Sequence, residues 1–229
     1  MSRKSKGKVG PKGNKLTRCV GINDADYPVF LRLGDGKVWH CPIYRHWSNM
    51  LTRCTSQDGK YSYEYADNHN ESYIGVSVCE DWLSFMQFRE WALTKNYLGN
   101  HLDKDIVGDG THYSPDNCEF VPNVINMCLH SRSSDKTNGE LIGVSKSNCK
   151  YQSSVACEGK YIAKIKTFNT ELEAHQYYQK HKAIALHSIA EKYLWLGEIS
   201  LRVYERLKEK ALLLETDLLE GRVTKTLRF

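Results

Sequence analysis

The stretch HLDKDIVGDGTHYSPDNCEFVPNVIN, residues 101–126, decides how the rest of the chain is read. Leu102, Ile106 and Val107 occupy apolar strand positions, and Gly108, Asp109 and Gly110 punctuate them. Pro122 stands where a first helical turn tolerates a missing N–H. The expectation is a short strand, a glycine-rich turn, a second short strand and a helix start. In such a ββα layout an Asp, two Asn residues and a cationic side chain converge on a phosphate and a divalent metal.

A unit this small cannot bury a core alone, so its neighbours are expected to pack on it. Upstream, Pro42 opens a helix whose apolar positions Ile43, Trp47, Met50, Leu51 and Cys54 recur at three and four. A second helix is expected from about Glu80 to Lys95, with Trp82, Phe85, Met86, Phe88, Trp91 and Ala92 as its apolar side. The strand-like run YIGVSVC precedes it, and YPVFLRL and KVWH flank the turn Gly34-Asp35-Gly36. Between the helices, Thr55–Tyr73 reads as a long polar loop, either a binding element or an insertion.

Downstream, SRSSDKTNGE (131–140) is a polar linker. Three strand-like runs follow, LIGVSKS, YQSSVAC and KYIAKIKTF, and then a helix opened by Asn169 or Thr170 with Glu173 completing a capping box. A last amphipathic helix over 197–220 carries the stripe Ile199, Val203, Leu207, Ala211, Leu214 and Leu218. It either packs back on the second module or pairs with a copy of itself. The fold class expected is α+β, divided into a basic arm (1–18), a first domain (19–130), the linker, a second domain (141–195) and a C-terminal helix (196–229).

Charge is unevenly placed along the 229 residues. Seven cations and no acid lie in residues 1–18, whereas the remainder holds 25 basic against 27 acidic residues. Such an arm suits nucleic acid or merely solubilises the chain. No run of eighteen apolar residues occurs, and the start has no apolar signal-peptide core. The expectation is a cytoplasmic protein without membrane contact, monomeric or homodimeric. The eight cysteines form no CxxC, so buried thiols are expected, with a structural zinc on Cys54, Cys79 and Cys118 as the alternative.

Residues 101–126 resemble the His-Me finger of HNH endonucleases, in the variant carried by phage and mobile-intron proteins. The order of WSNMLTRC, VCEDW, LDKD and YSPDNCEFV extends that resemblance over about residues 40–130. It implies a ββα-metal core with flanking helices. Asp103 and Asn126 would be metal ligands, Asn117 would orient the base, and Mg2+ or Mn2+ would be the cofactor. One carboxylate and one amide oxygen are a sufficient protein contribution for such a hard cation. Lys104 falls where the family has its general-base His. Lysine has an ordinary pKa of about 10.4 and is protonated at neutral pH. Lys104 therefore acts either as a base of strongly depressed pKa or as a cation on phosphate, with His112 or His101 substituting as base. If phage-encoded, the protein would work in the host cytoplasm.

Residues 141–185 resemble the plant APETALA-type DNA-binding domain, on the strength of GV at the start, TFNT at the junction, and Ala174 four before Tyr178. That resemblance implies a three-stranded sheet packed on one helix, with the sheet in the major groove of double-stranded DNA. Lys146, Lys150, Lys160, Lys164 and Lys166 against Glu158 supply the charge, and Tyr151 stands at a Trp position of the family. Two functions stay open: a metal-dependent DNA endonuclease, or a DNA-binding or regulatory protein on a nuclease fold without its chemistry.

Overall fold

The computed structural model describes residues 16–18, 20–54, 75–129 and 141–227. The basic arm up to residue 15, the tyrosine-rich loop and the linker lie outside them. The described residues form an α+β protein with two compact units, residues 1–120 and 121–229, each with its own core.

The first unit begins with a β-hairpin, β1 (Phe30–Arg32) antiparallel to β2 (Val38–His40), joined through Gly34-Asp35-Gly36. Helix α1 (Pro42–Arg53) follows with Pro42 in its first turn, and buries Ile43, Trp47, Met50 and Leu51 as the spacing predicts. After β3 (Ser77–Val78), the single helix expected over Glu80–Lys95 is two pieces, a 3-10 turn at Asp81–Leu83 and α2 (Phe85–Leu93). Ser84 causes the break. Its backbone is extended, its Oγ accepts from the Gln87 N–H, and its hydroxyl donates to Asp24 Oδ2 at 2.6 Å. Trp47, Trp82, Phe85 and Phe88 are completely or almost completely buried, and Trp47 Nε1 donates to the Trp82 carbonyl at 2.7 Å. Edge-on contacts such as Trp82–Phe88, with centroids 5.0 Å apart, fill this aromatic core.

The unit ends in β4 (His101–Asp103), β5 (His112–Tyr113) and β6 (Glu119–Val121). β4 pairs with β6, and β5 runs parallel to β3. Ile106 and Val107, read from sequence as strand, lie beyond the end of β4. The cause is local: Asp103 Oδ1 accepts the N–H groups of both Asp105 and Ile106 at 2.8 Å, turning the chain out of the ladder. Ile106 is buried all the same.

Helix α3 (Asn123–Leu129) opens the second unit. Strands β7 (Val144–Ser147), β8 (Lys150–Cys157) and β9 (Lys160–Phe168) then make an antiparallel sheet in the order 7-8-9. Helix α4 (Glu171–Trp195) packs on the sheet, with the capping box between Thr170 and Glu173 in place. Gly143 has φ +76°, and a Cβ there would sit 2.1 Å from the Tyr178 ring. Only glycine permits both that backbone and that approach. Helix α5 (Leu201–Leu219) packs along α4, burying Val203, Leu207, Ala211 and Leu214. The amphipathic stripe is thus used within the chain.

Between sheet and α5, α4 is covered on two sides, and it buries His175, Gln179 and Lys182 among its apolar residues. Each of the three finds hydrogen-bond partners. His175 Nδ1 meets the Ile142 carbonyl at 2.9 Å while its Nε2 accepts the Thr224 N–H at 3.1 Å. Gln179 Nε2 donates to the Arg222 carbonyl and to Thr224 Oγ1, and the Thr224 hydroxyl donates to Asp217 Oδ2 at 2.7 Å. The segment after α5 is thereby pinned to α4.

Candidate functional site

Asp103 closes β4 and is 6 % exposed as a residue. Burial, and next the neighbouring Asp105, push its pKa above the ordinary carboxylate value; the two backbone N–H bonds and Lys104 oppose that rise. A buried carboxylate in this condition gains from a cation nearby. Lys104 supplies part of the charge: it is itself buried, its Nζ lies 2.6 Å from Asp105 Oδ1, and it stands 5.7 Å over the Tyr113 ring.

The loop after Asp103 is closely packed. A Cβ on Gly108 would lie 2.7 Å from the Lys104 carbonyl and 2.8 Å from Asn117 Cβ. Asn117 is therefore brought against the loop that carries Lys104, with its own N–H bonded to the Ser114 carbonyl and hydroxyl. Gly110, at φ +78°, leaves room for Asp105 Oδ1.

His112 opens β5. Its Nδ1 is 2.7 Å from Ser77 Oγ on the paired strand β3. Successive side chains of a strand point to opposite faces, and here it is Tyr113 that faces Lys104. Arg53, from the last turn of α1, reaches the Tyr113 hydroxyl through Nη1 at 3.0 Å. Neither Tyr113 nor Arg53 stands out in sequence, since one alternates like any strand residue and the other is a helix-end cation. His101 is exposed on β4. Nearby His46, another residue the sequence did not single out, stacks edge-on against Phe120 with centroids 5.0 Å apart. Burial, and next the charge of His101, lower its pKa to about 4, so it is neutral at pH 7.

In the second unit, Asn126 lies on α3 with a buried Oδ1 that has no hydrogen-bond partner among the described residues. A buried amide oxygen left unsatisfied is uncommon and suits a ligand. The donor set thus fits a hard cation at two points, each within its own unit: the Asp103 carboxylate and the Asn126 amide oxygen. Among the described residues no cluster of three or more His, Cys, Asp or Glu side chains is arranged to hold a metal ion. Cys54, Cys79 and Cys118 make no such cluster, and burial raises the Cys54 thiol to about 12.

The lysines of the sheet separate by register. Val144, Ser153, Val155, Cys157 and Ala163 are buried on the α4 side. Tyr151 lies two residues from Ser153 in β8, Lys146 pairs with Tyr151, Lys166 with Ser153, and Lys160 with Cys157. All four belong to the rows on that side. Lys166 Nζ lies 5.4 Å from the Phe168 ring centroid and 5.7 Å from that of Tyr177. By alternation Lys150 belongs to the outer face, with Gln152 and Thr167, and Lys164 stands where the register shifts between the Lys166 and Ala163 pairs. Breaks in register at Ser153/Val155 and Val155/Ala156 bend β9 across β8.

No helix of the described residues is long and apolar enough to cross a membrane. No protein-family model, curated protein or solved structure matches the chain.

Proposed function

We propose that the protein is a DNA-binding, divalent-metal-dependent endonuclease whose first unit works as a His-Me finger. The observation that carries this reading is Asp103, a buried carboxylate at the end of β4, held by two backbone N–H bonds and raised in pKa. Magnesium or manganese, when bound, would supply positive charge to a scissile phosphate. The chain's own part is to present the Asp103 carboxylate, to hold Asn117 against the Lys104 loop, and to keep Lys104 as a fixed cation for phosphate oxygens. The sheet of the second unit is the surface for double-stranded DNA, with Lys150 outward and Lys164 at the shift in register.

One observation favours the second reading, a DNA-binding or regulatory protein without cleavage. Lys104 is tied to Asp105, and His112 is engaged by Ser77, so neither is presented as an unencumbered base. Positioned general-base catalysis is worth about a hundred- to ten-thousandfold, so its absence leaves a slow nuclease at best. Supercoiled plasmid with Mg2+ or Mn2+, with and without chelator, decides between the two. The nuclease reading expects metal-dependent nicking by wild type, loss in Asp103→Ala, and a gain in Lys104→His, which restores an imidazole. Binding without nicking in wild type and Lys104→His alike would overturn it.

A further inference from the structure

The segment after α5, residues 222–227, returns to α4, and its Thr224 and Leu227 are buried. One contact on which it hangs depends on a proton. His175, fully buried on α4, meets the Ile142 carbonyl with Nδ1 at 2.9 Å and the Thr224 N–H with Nε2 at 3.1 Å. A carbonyl only accepts and a backbone N–H only donates, so Nδ1 carries the hydrogen and Nε2 offers its lone pair. The ring can gain a proton only at Nε2, where it would confront the Thr224 N–H. Imidazolium and the Thr224 bond therefore exclude one another. The surroundings give the charged ring another partner. Asp217 of α5 accepts the Thr224 hydroxyl at Oδ2 and Arg222 Nε at Oδ1, 3.1 Å away. Asp217 and Glu171 favour the charged form, while burial, the largest influence, opposes it. On α4 the Tyr178 ring lies nearly parallel to the imidazole at 6.3 Å, and Lys182 is turned to the Cys128 carbonyl.

We propose that His175 is a pH-sensitive latch: the neutral ring holds residues 222–227 on α4, and proton uptake at Nε2 ejects Thr224 and turns the new N–H to Asp217. Opening breaks the Thr224 N–H bond first. The Thr224 hydroxyl then yields Asp217 Oδ2 to the imidazolium, and the two acceptors of Gln179 Nε2, the Arg222 carbonyl and Thr224 Oγ1, leave with the segment. Helices α4 and α5 stay packed through Val203, Leu207, Ala211 and Leu214, which the proton does not touch. A free histidine titrates at about 6.5, and burial lowers the value for the closed state. The latch is thus closed above that pH and opens as pH falls below it. The device lies within the second unit and stands apart from the nuclease reading.

The test follows amide hydrogen exchange of the full chain by mass spectrometry at about pH 7.5 and about pH 5, either side of the ordinary histidine value. Exchange times are scaled for the intrinsic effect of pH. After scaling, peptides from residues 222–227 should exchange roughly tenfold faster at the lower pH, while the interiors of α4 and α5 keep their protection. His175→Gln should remove the difference between the two conditions. Nitrogen NMR of the labelled wild-type chain needs no variant. At the higher pH it should show His175 as the Nδ1–H tautomer, with a coupling across the hydrogen bond from Nε2 to the Thr224 amide nitrogen that vanishes as the ring takes up a proton. Equal scaled protection at both pH values overturns the proposal, as does loss of protection in α4 and α5 together with the segment. An Nε2–H tautomer, or an acid response that survives in His175→Gln, overturns it too.

Discussion

At the scale of single residues, Asp103 sets stability against use. An acid whose folded pKa is raised weakens the fold at every pH above that pKa, because the native state carries a charge it would rather lose. Asp103→Asn keeps an oxygen for the Asp105 and Ile106 N–H groups while removing the charge. At pH 7 the variant should unfold at a higher urea concentration than wild type, and its nicking should fall to the chelator background. The imidazoles give the opposite pH dependence. His46 and His175 both have lowered pKa values, chiefly through burial. Such groups support the fold fully above the ordinary histidine value of about 6.5, and their contribution is lost as pH falls through it, down to about 4 at His46. The urea midpoint should therefore decline over that window, and the double variant His46→Gln, His175→Gln should flatten the decline.

Among the elements, α4 has a start that local chemistry dictates and a course that it does not. Thr170 Oγ1 accepts the Glu173 N–H at 3.3 Å, and the Glu173 carboxylate accepts the Thr170 N–H at 3.1 Å. Thr170→Ala should cost about 1 kcal/mol in urea unfolding. Gly143→Ala should cost more, about 3 kcal/mol, since it adds a left-handed backbone penalty to overlap with the Tyr178 ring. The broken second helix and the shortened β4 belong to this scale as well. In each a side-chain oxygen, Ser84 Oγ or Asp103 Oδ1, captures backbone N–H groups, and a reading by apolar spacing alone passes over such captures.

For the DNA binding proposed for the whole molecule, register matters more than composition. Five lysines against Glu158 give the sheet segment its charge, while register places only Lys150 on the outer face and Lys164 at the shift between the Lys166 and Ala163 pairs. Replacing those two with Ala should weaken duplex binding and lower the log–log salt slope by about one for each phosphate that is no longer neutralised. Replacing Lys146 and Lys166 should change the slope less. Equal effects from the two pairs would show that the faces do not differ in how they meet DNA.

Sequence by itself determined the α+β class, the apolar faces of α1 and α5, and the capping box of α4. Those features follow from periodicity and from short-range hydrogen bonding, which neighbouring residues settle among themselves. Tertiary structure alone decided that Tyr113 rather than His112 faces Lys104, and that Arg53 reaches the same ring from α1. It also decided that His175 and Gln179 hold the segment after α5. Most of these pairs join residues tens of positions apart, and all depend on how elements pack and on which way a strand is turned, information that local spacing does not carry.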